Sequence, residues 1–111
     1  MTIRRSIPSL GHGQLWWADL PGEKVRPVLI LTRRRVAGRL TRVLVAPVTS
    51  TVRGISTEVS VGEDEGVSAG SVVNFDNAQL IETDLLLRPI GSVPPERWSE
   101  FCSAMAAVLA C

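Results

Sequence analysis

Histidine and cysteine are nearly missing from this chain of 111 residues, which has one histidine, His12, and two cysteines, Cys102 and Cys111. Without a CxxC pair or a second histidine, the sequence offers no set of metal ligands. The two thiols lie nine positions apart in a segment of helical pattern. A helix rises about 13.5 Å over that interval, too far for a disulfide. Free thiols in a reducing cytoplasm are expected. Long apolar runs are missing as well, so no segment reads as a membrane span. The opening residues Met1 to Ser6 run into Pro8 and Gly11 without the apolar stretch of a secretory leader. The length fits one domain, 1–111, with residues 1–12 expected to be flexible, and leaves no room for a large cofactor fold. A chain of this size buries roughly 65% of its unfolded surface, enough to fold without staples. No internal repeat or low-complexity segment is present.

Net charge is also nearly absent, at +1, but its distribution is uneven. Residues 1–53 carry ten basic side chains against Asp19 and Glu23, a balance of +8. Residues 54–111 carry Arg88 and Arg97 against nine acids, a balance of -7. Eleven of the twelve basic groups are arginine, whose planar fork suits bidentate phosphate contacts. The basic half therefore suggests a polyanion-binding face, with an ordinary solvated arginine surface as the alternative.

What is there is mostly β pattern. Leu15 to Leu20 reads as a first strand, followed by a turn at Pro21 to Lys24. Val28 to Thr32 is continuously apolar, as in a strand covered on both faces. Arg33 to Arg42 reads as a loop, and Val43 to Val48 as a third strand whose end or bulge is marked by Pro47. Thr57 to Val61 alternates polar and apolar, Glu63 to Glu65 is an acidic turn, and Ser71 to Phe75 and Gln79 to Glu82 read as further strands. A last short strand is expected within Leu85 to Val93. About six short strands with glycine and proline turns predict a closed or nearly closed small barrel. After Pro94 and Pro95 the period changes: Trp98, Phe101, Cys102, Met105, Val108 and Leu109 form a helical stripe expected to pack on the sheet.

Few residues can carry chemistry. His12 titrates in a useful range but stands alone between glycines. Arg26 precedes Pro27 at the mouth of the apolar strand, a rigid position from which a guanidinium can meet a phosphate. Thr49 and Ser50 follow Pro47 at the end of a neighbouring strand and offer hydroxyls to phosphate oxygens. Whether they meet is left open by spacing alone.

The segments Gly13 to Leu20, Lys24 to Leu31 and Val45 to Ser50 resemble, in order, three signatures of the MazF/PemK-type toxins of bacterial toxin-antitoxin systems. Thr57-Glu58-Val59 and Gly70 to Asp76 continue the likeness. The resemblance implies a mainly β fold, a small SH3-like barrel with a C-terminal α-helix packed on it, assembled as a homodimer. It implies a sequence-specific, metal-independent, cofactor-free endoribonuclease acting on single-stranded RNA in the cytoplasm, blocked by the acidic disordered tail of an antitoxin. Arg26 and Thr49 match the family's active positions. In such chemistry the RNA 2'-hydroxyl attacks the adjacent phosphorus, leaving a 2',3'-cyclic phosphate and a 5'-hydroxyl; DNA lacks that group.

With that chemistry in view, Lys24, Arg33, Arg34, Arg35, Arg39, Arg42, Ser50 and Arg53 are candidate RNA contacts. Trp16 or Trp17 is a candidate stacking face, and Asp76, Asn77 and Gln79 are candidate supporting polar groups. Two departures from the family pattern stand out: only Pro21 to Val25 separate the first strand from the Arg-Pro pair, and Asn77 replaces the usual glutamine after Asp76. Two alternative functions remain open, a non-catalytic barrel that binds a protein such as a topoisomerase, and an RNA binder without cleavage.

Overall fold

The structure is a computed structural model and describes residues 10–37 and 39–109. Of the arm expected over residues 1–12, residues 1–9 lie outside the described residues, as does Cys111. Gly11 is buried against the next segment, where an added Cβ would lie 2.6 Å from the Arg34 Cα.

Seven strands follow the predicted order: β1 (Gln14–Ala18), β2 (Arg26–Ile30), β3 (Arg42–Thr49), β4 (Glu58–Val61), β5 (Ser71–Asn74), β6 (Gln79–Glu82) and β7 (Leu86–Ser92). Two helices join them, α1 (Arg34–Ala37) and α2 (Trp98–Val108). The stretch read as a loop from Arg33 to Arg42 thus contains one helical turn. Its anchor is Ala37, which is fully buried and donates its N–H to Arg33 O at 2.9 Å.

The strands do not close into a barrel, contrary to the sequence expectation. They form one sheet in the order β4-β5-β3-β2-β1-β7, with β6 paired to β3. The reason lies in β3, which is eight residues long and shares its length between partners. Its first half pairs with β6, from Arg42 opposite Glu82 to Val45 opposite Gln79. Its last two residues pair with β5, Val48 opposite Val73 and Thr49 opposite Val72. At the outer ends, the 3₁₀ turn Glu63–Glu65 follows β4 and meets β7 by close packing instead of a ladder: a Cβ on Gly91 would lie 2.6 Å from Glu65 O. A turn occupies the place where two edge strands would have to pair.

Side-chain alternation divides the interior. Leu15, Leu29, Ala46, Val48 and Val73 face one cluster, which Phe75, Phe101 and Ala104 complete. Trp16, Ala18, Val28, Ile30, Val43 and Val45 face the other, with Leu20, Ala37 and Ile81. The period of two within each strand puts neighbours on opposite faces. Val28, Leu29 and Ile30 are all fully buried, as a strand covered on both sides requires.

Helix α2 covers the first cluster. A 3₁₀ turn at Pro95–Arg97 leads into it, and Trp98, Phe101, Ala104 and Met105 face the sheet. Phe101 meets Phe75 edge-on at 6.2 Å and stacks on Trp98 at 5.8 Å. The predicted stripe is longer than the packed one. Cys102 and Val108 are exposed, and Leu109 is 76% exposed.

Candidate functional site

Past Val28 opposite Pro47, β2 and β3 stop pairing with each other. Arg26 and Pro27 remain with β1, opposite Ala18 and Trp17, while Val48 and Thr49 turn to β5. Pro47, expected to mark the strand end or a bulge, lies inside β3 at this change of partner, where a missing N–H removes the least from the ladders. The divergence opens a cleft of about 330 Å³. Trp17, Lys24, Val25, Arg26 and Pro27 line one side, and Val48, Thr49 and Ser50 line the other.

Arg26 is held but not consumed. Its side chain is 31% exposed, and Nε lies 3.3 Å from Glu23 Oε1. The alignment is too poor for a hydrogen bond, so Nε is a buried donor without one. The pair is electrostatic and partly solvated, which makes it weak. Thr49 is oriented by its own chain, since Oγ1 accepts the Thr51 N–H at 3.1 Å. That bond uses a lone pair and leaves the hydroxyl hydrogen to donate elsewhere. A guanidinium and an oriented hydroxyl thus share one cleft, which is an arrangement for holding a tetrahedral anion.

The other candidates separate into those at the cleft and those away from it. Lys24 and Ser50 are exposed along its rim. Trp17 is half-buried in its wall, with the Arg88 Cζ 5.5 Å from its ring centroid. Trp16 is 5% exposed and faces the interior, and its Nε1 donates to Gln14 Oε1 at 3.1 Å. Arg33, Arg34 and Arg39 are exposed but follow the far end of β2, which lies about 13 Å from Arg26 at about 3.3 Å per residue. Arg35 lies in α1 beside them. Arg42, at the same end, pairs with Glu82 at 3.0 Å.

Arg53 belongs to a carboxylate network. Its Nε lies 3.3 Å from Glu58 Oε2, and its Nη2 3.5 Å from Asp76 Oδ2. Glu58, with a side chain 3% exposed, also accepts the N–H groups of Arg53 and Gly54, each at 3.0 Å. Burial pushes the Glu58 carboxyl up, but the N–H donors and the facing guanidinium outweigh it, and its pKa falls below the ordinary 4.5. Asp76 accepts the Thr57 hydroxyl at 2.6 Å. Asp76 and Asn77 form a 3₁₀ turn with Phe75, and Gln79 starts β6. None of the three lines the cleft. His12, the other candidate, packs its ring 4.8 Å from Trp98. Among the described residues no three His, Cys, Asp or Glu side chains gather as a metal site.

Sequence reasoning missed the cleft's remaining wall, Gly66, Val67, Ser68 and Ser71. Its only local signal is a small-residue segment between Gly66 and Gly70, both at positive φ.

Comparison with known proteins identifies the family of the chain. Residues 12–109 match the family described as PemK-like, MazF-like toxin of type II toxin-antitoxin system. The chain is 54% identical over 69 residues to endoribonuclease MazF3 of Mycobacterium tuberculosis, covering 62% of this chain and 67% of that one. It superposes with a TM-score of 0.82 and 42% identity on Mycobacterium tuberculosis toxin MazF-mt6, covering 86% of this chain and 95% of that one. A mycobacterial endoribonuclease in complex with its cognate antitoxin gives a TM-score of 0.80 at 28% identity, over 90% and 94% of the two chains. By the extent of the match, from His12 to Leu109, and by the fold, the chain belongs to the PemK-like, MazF-like toxins of type II toxin-antitoxin systems.

Proposed function

We propose that this toxin is a sequence-specific, metal-independent endoribonuclease of single-stranded RNA, with Arg26 and Thr49 at its catalytic centre. The observation that carries the reading is the shared cleft, in which Arg26 and the Thr51-oriented Thr49 hydroxyl line facing sides. The scissile phosphate sits between them. The 2'-oxygen of the preceding nucleotide bonds to phosphorus and releases its proton to solvent. The bond to the 5'-oxygen breaks, and that oxygen takes up a proton. Negative charge grows on the non-bridging oxygens as phosphorus becomes five-coordinate. Arg26 stabilises that charge with two N–H groups, and Thr49 donates one more bond. The substrate carries its own nucleophile, so the protein needs only to position and to stabilise.

Lys24 and Ser50 extend the phosphate contacts along the rim, and Trp17 offers an aromatic wall to a base. Residues 1–111 act as one domain and assemble as a homodimer in the cytoplasm. The inhibitory partner is an antitoxin whose acidic tail occupies the same basic cleft, folding as it binds.

The test is end mapping of fragments from a long mixed-sequence RNA incubated in excess chelator. Cleavage leaving cyclic phosphate and 5'-hydroxyl ends, abolished in Arg26→Ala and Thr49→Ala, supports the proposal. Absence of cleavage favours a toxin that binds a protein target, and binding without cleavage that fails to distinguish RNA from DNA favours a backbone binder.

A further inference from the structure

The remaining wall of the cleft, from Gly66 to Ser71, is built too firmly for a passive loop. Glu65, whose side chain is 7% exposed, accepts the Gly62 N–H at 2.7 Å and lies 3.5 Å from Arg97 Nη1. Arg97 reaches it from the start of α2 and also donates to Ser60 O at 2.8 Å. The next residue, Gly66, is left-handed at φ 91° and so close to β7 that a Cβ would lie 2.8 Å from Ile90 Cγ2. No other residue type fits there without displacing the strand. On the far side, Ser71 Oγ donates to Ser68 O at 2.7 Å. Helix α2, strand β7 and strand β5 therefore fix the segment from three directions.

This scaffold presents Ser68 to the cleft. Its side chain is exposed, and among the described residues its hydroxyl has no partner. The neighbouring Ser71 hydroxyl is already engaged. A hydroxyl on an anchored backbone can both donate and accept, which suits the edge of a nucleobase. The cleft lies at the small end of ligand pockets, about 300–1,000 Å³.

We propose that Ser68 is a specificity-determining residue: its hydroxyl hydrogen-bonds the edge of the base adjoining the phosphate held by Arg26 and Thr49. Glu65 and Arg97 are positioning residues that set its height in the cleft. The proposal rests on the reading of this toxin as an RNA-cleaving enzyme and adds to it which wall reads sequence.

The test separates the two. The full chain is presented with a library of 2'-fluoro oligoribonucleotides, which cannot be cleaved by internal attack, randomised over eight positions, and the bound fraction is sequenced. Wild type is expected to enrich one base at one position. In Ser68→Ala that preference falls roughly three- to tenfold, the worth of one neutral hydrogen bond, while Ser68→Thr retains it. Arg26→Ala weakens binding of all sequences and keeps the preference. Ser68 is exposed, so its variants fold, and circular dichroism verifies this. Unchanged preference in Ser68→Ala, or no preference in wild type, overturns the proposal. A Ser68-dependent preference in a chain that cleaves no RNA upholds it and removes the catalytic reading instead.

Discussion

Arg26 and Thr49 line one cleft, each two residues beyond Val28 and Pro47, the last positions at which β2 and β3 pair. Each belongs to a different ladder, Arg26 to that of β1 and Thr49 to that of β5. The site is a gap between diverging strands, with its walls held by the sheet itself.

The fork of Arg26 is the feature that an equal charge cannot replace. Arg26→Lys is expected to keep RNA binding within a fewfold while lowering kcat by about 10²–10³, the usual loss for one transition-state donor. Single-turnover cleavage of a short RNA checks it.

Glu23, paired with Arg26, is expected to compete with an RNA substrate for that guanidinium. Glu23→Gln removes a partly exposed ion pair worth about 0.2–1 kcal/mol and is expected to tighten RNA binding by up to roughly fivefold. The effect shrinks as salt is raised, and a titration of binding at two salt concentrations reads it.

On the proposed reading, the basic groups at the far end of β2 are expected to serve length and not chemistry. Replacing Arg33 and Arg39 with Gln should weaken binding of long RNA and flatten its salt dependence, the slope falling by slightly under one unit for each phosphate no longer neutralised. Cleavage of a pentanucleotide that fills only the cleft should be unchanged, and comparing the two substrates tests the assignment.

Core and tail of α2 should respond differently. Phe101→Ala empties a fully buried site between Phe75 and Trp98 and is expected to destabilise the chain by about 3–5 kcal/mol. Leu109→Ala, at an exposed position, should fall within about 0.5 kcal/mol of wild type. Urea unfolding measures both.

Acid should loosen the segment after β3. The folded-state pKa values of Glu58 and Glu100 lie below the ordinary carboxylate value of 4.5, Glu58 because N–H donors outweigh burial and Glu100 because Arg97 donates to it. Their contribution is present above that value and is lost as pH falls through the folded pKa. The urea midpoint is expected to drop below pH 4.5, with a shallower drop in Glu58→Gln, whose amide does not titrate there.

The local pattern carried much of this fold. The apolar run at Val28, the hydroxyl after Pro47 and the change of period at Pro95 are all signals within a few residues. The elements they mark are present, with Thr49 drawn into β3 and the helical stripe shortened at its end. What escaped is long-range. Whether Arg42 and Arg53 are free depends on Glu82 and Glu58, and the Glu82 that meets Arg42 is brought near only by the pairing of strands. The wall at Ser68 depends on Gly66 meeting Ile90, more than twenty residues away. Closure of the sheet depends on whether β4 and β7 meet, and composition says nothing about that.

An open sheet leaves backbone free to recruit other chains, and this one limits the hazard at both ends. The outer strand β7 carries Pro89 in its middle, which has no N–H to offer an incoming strand. At the other end β4 has only four residues, and Arg97 already occupies the Ser60 carbonyl. Edge-to-edge pairing is thereby disfavoured at both ends, by a proline and an arginine that the barrel expectation gave no reason to notice.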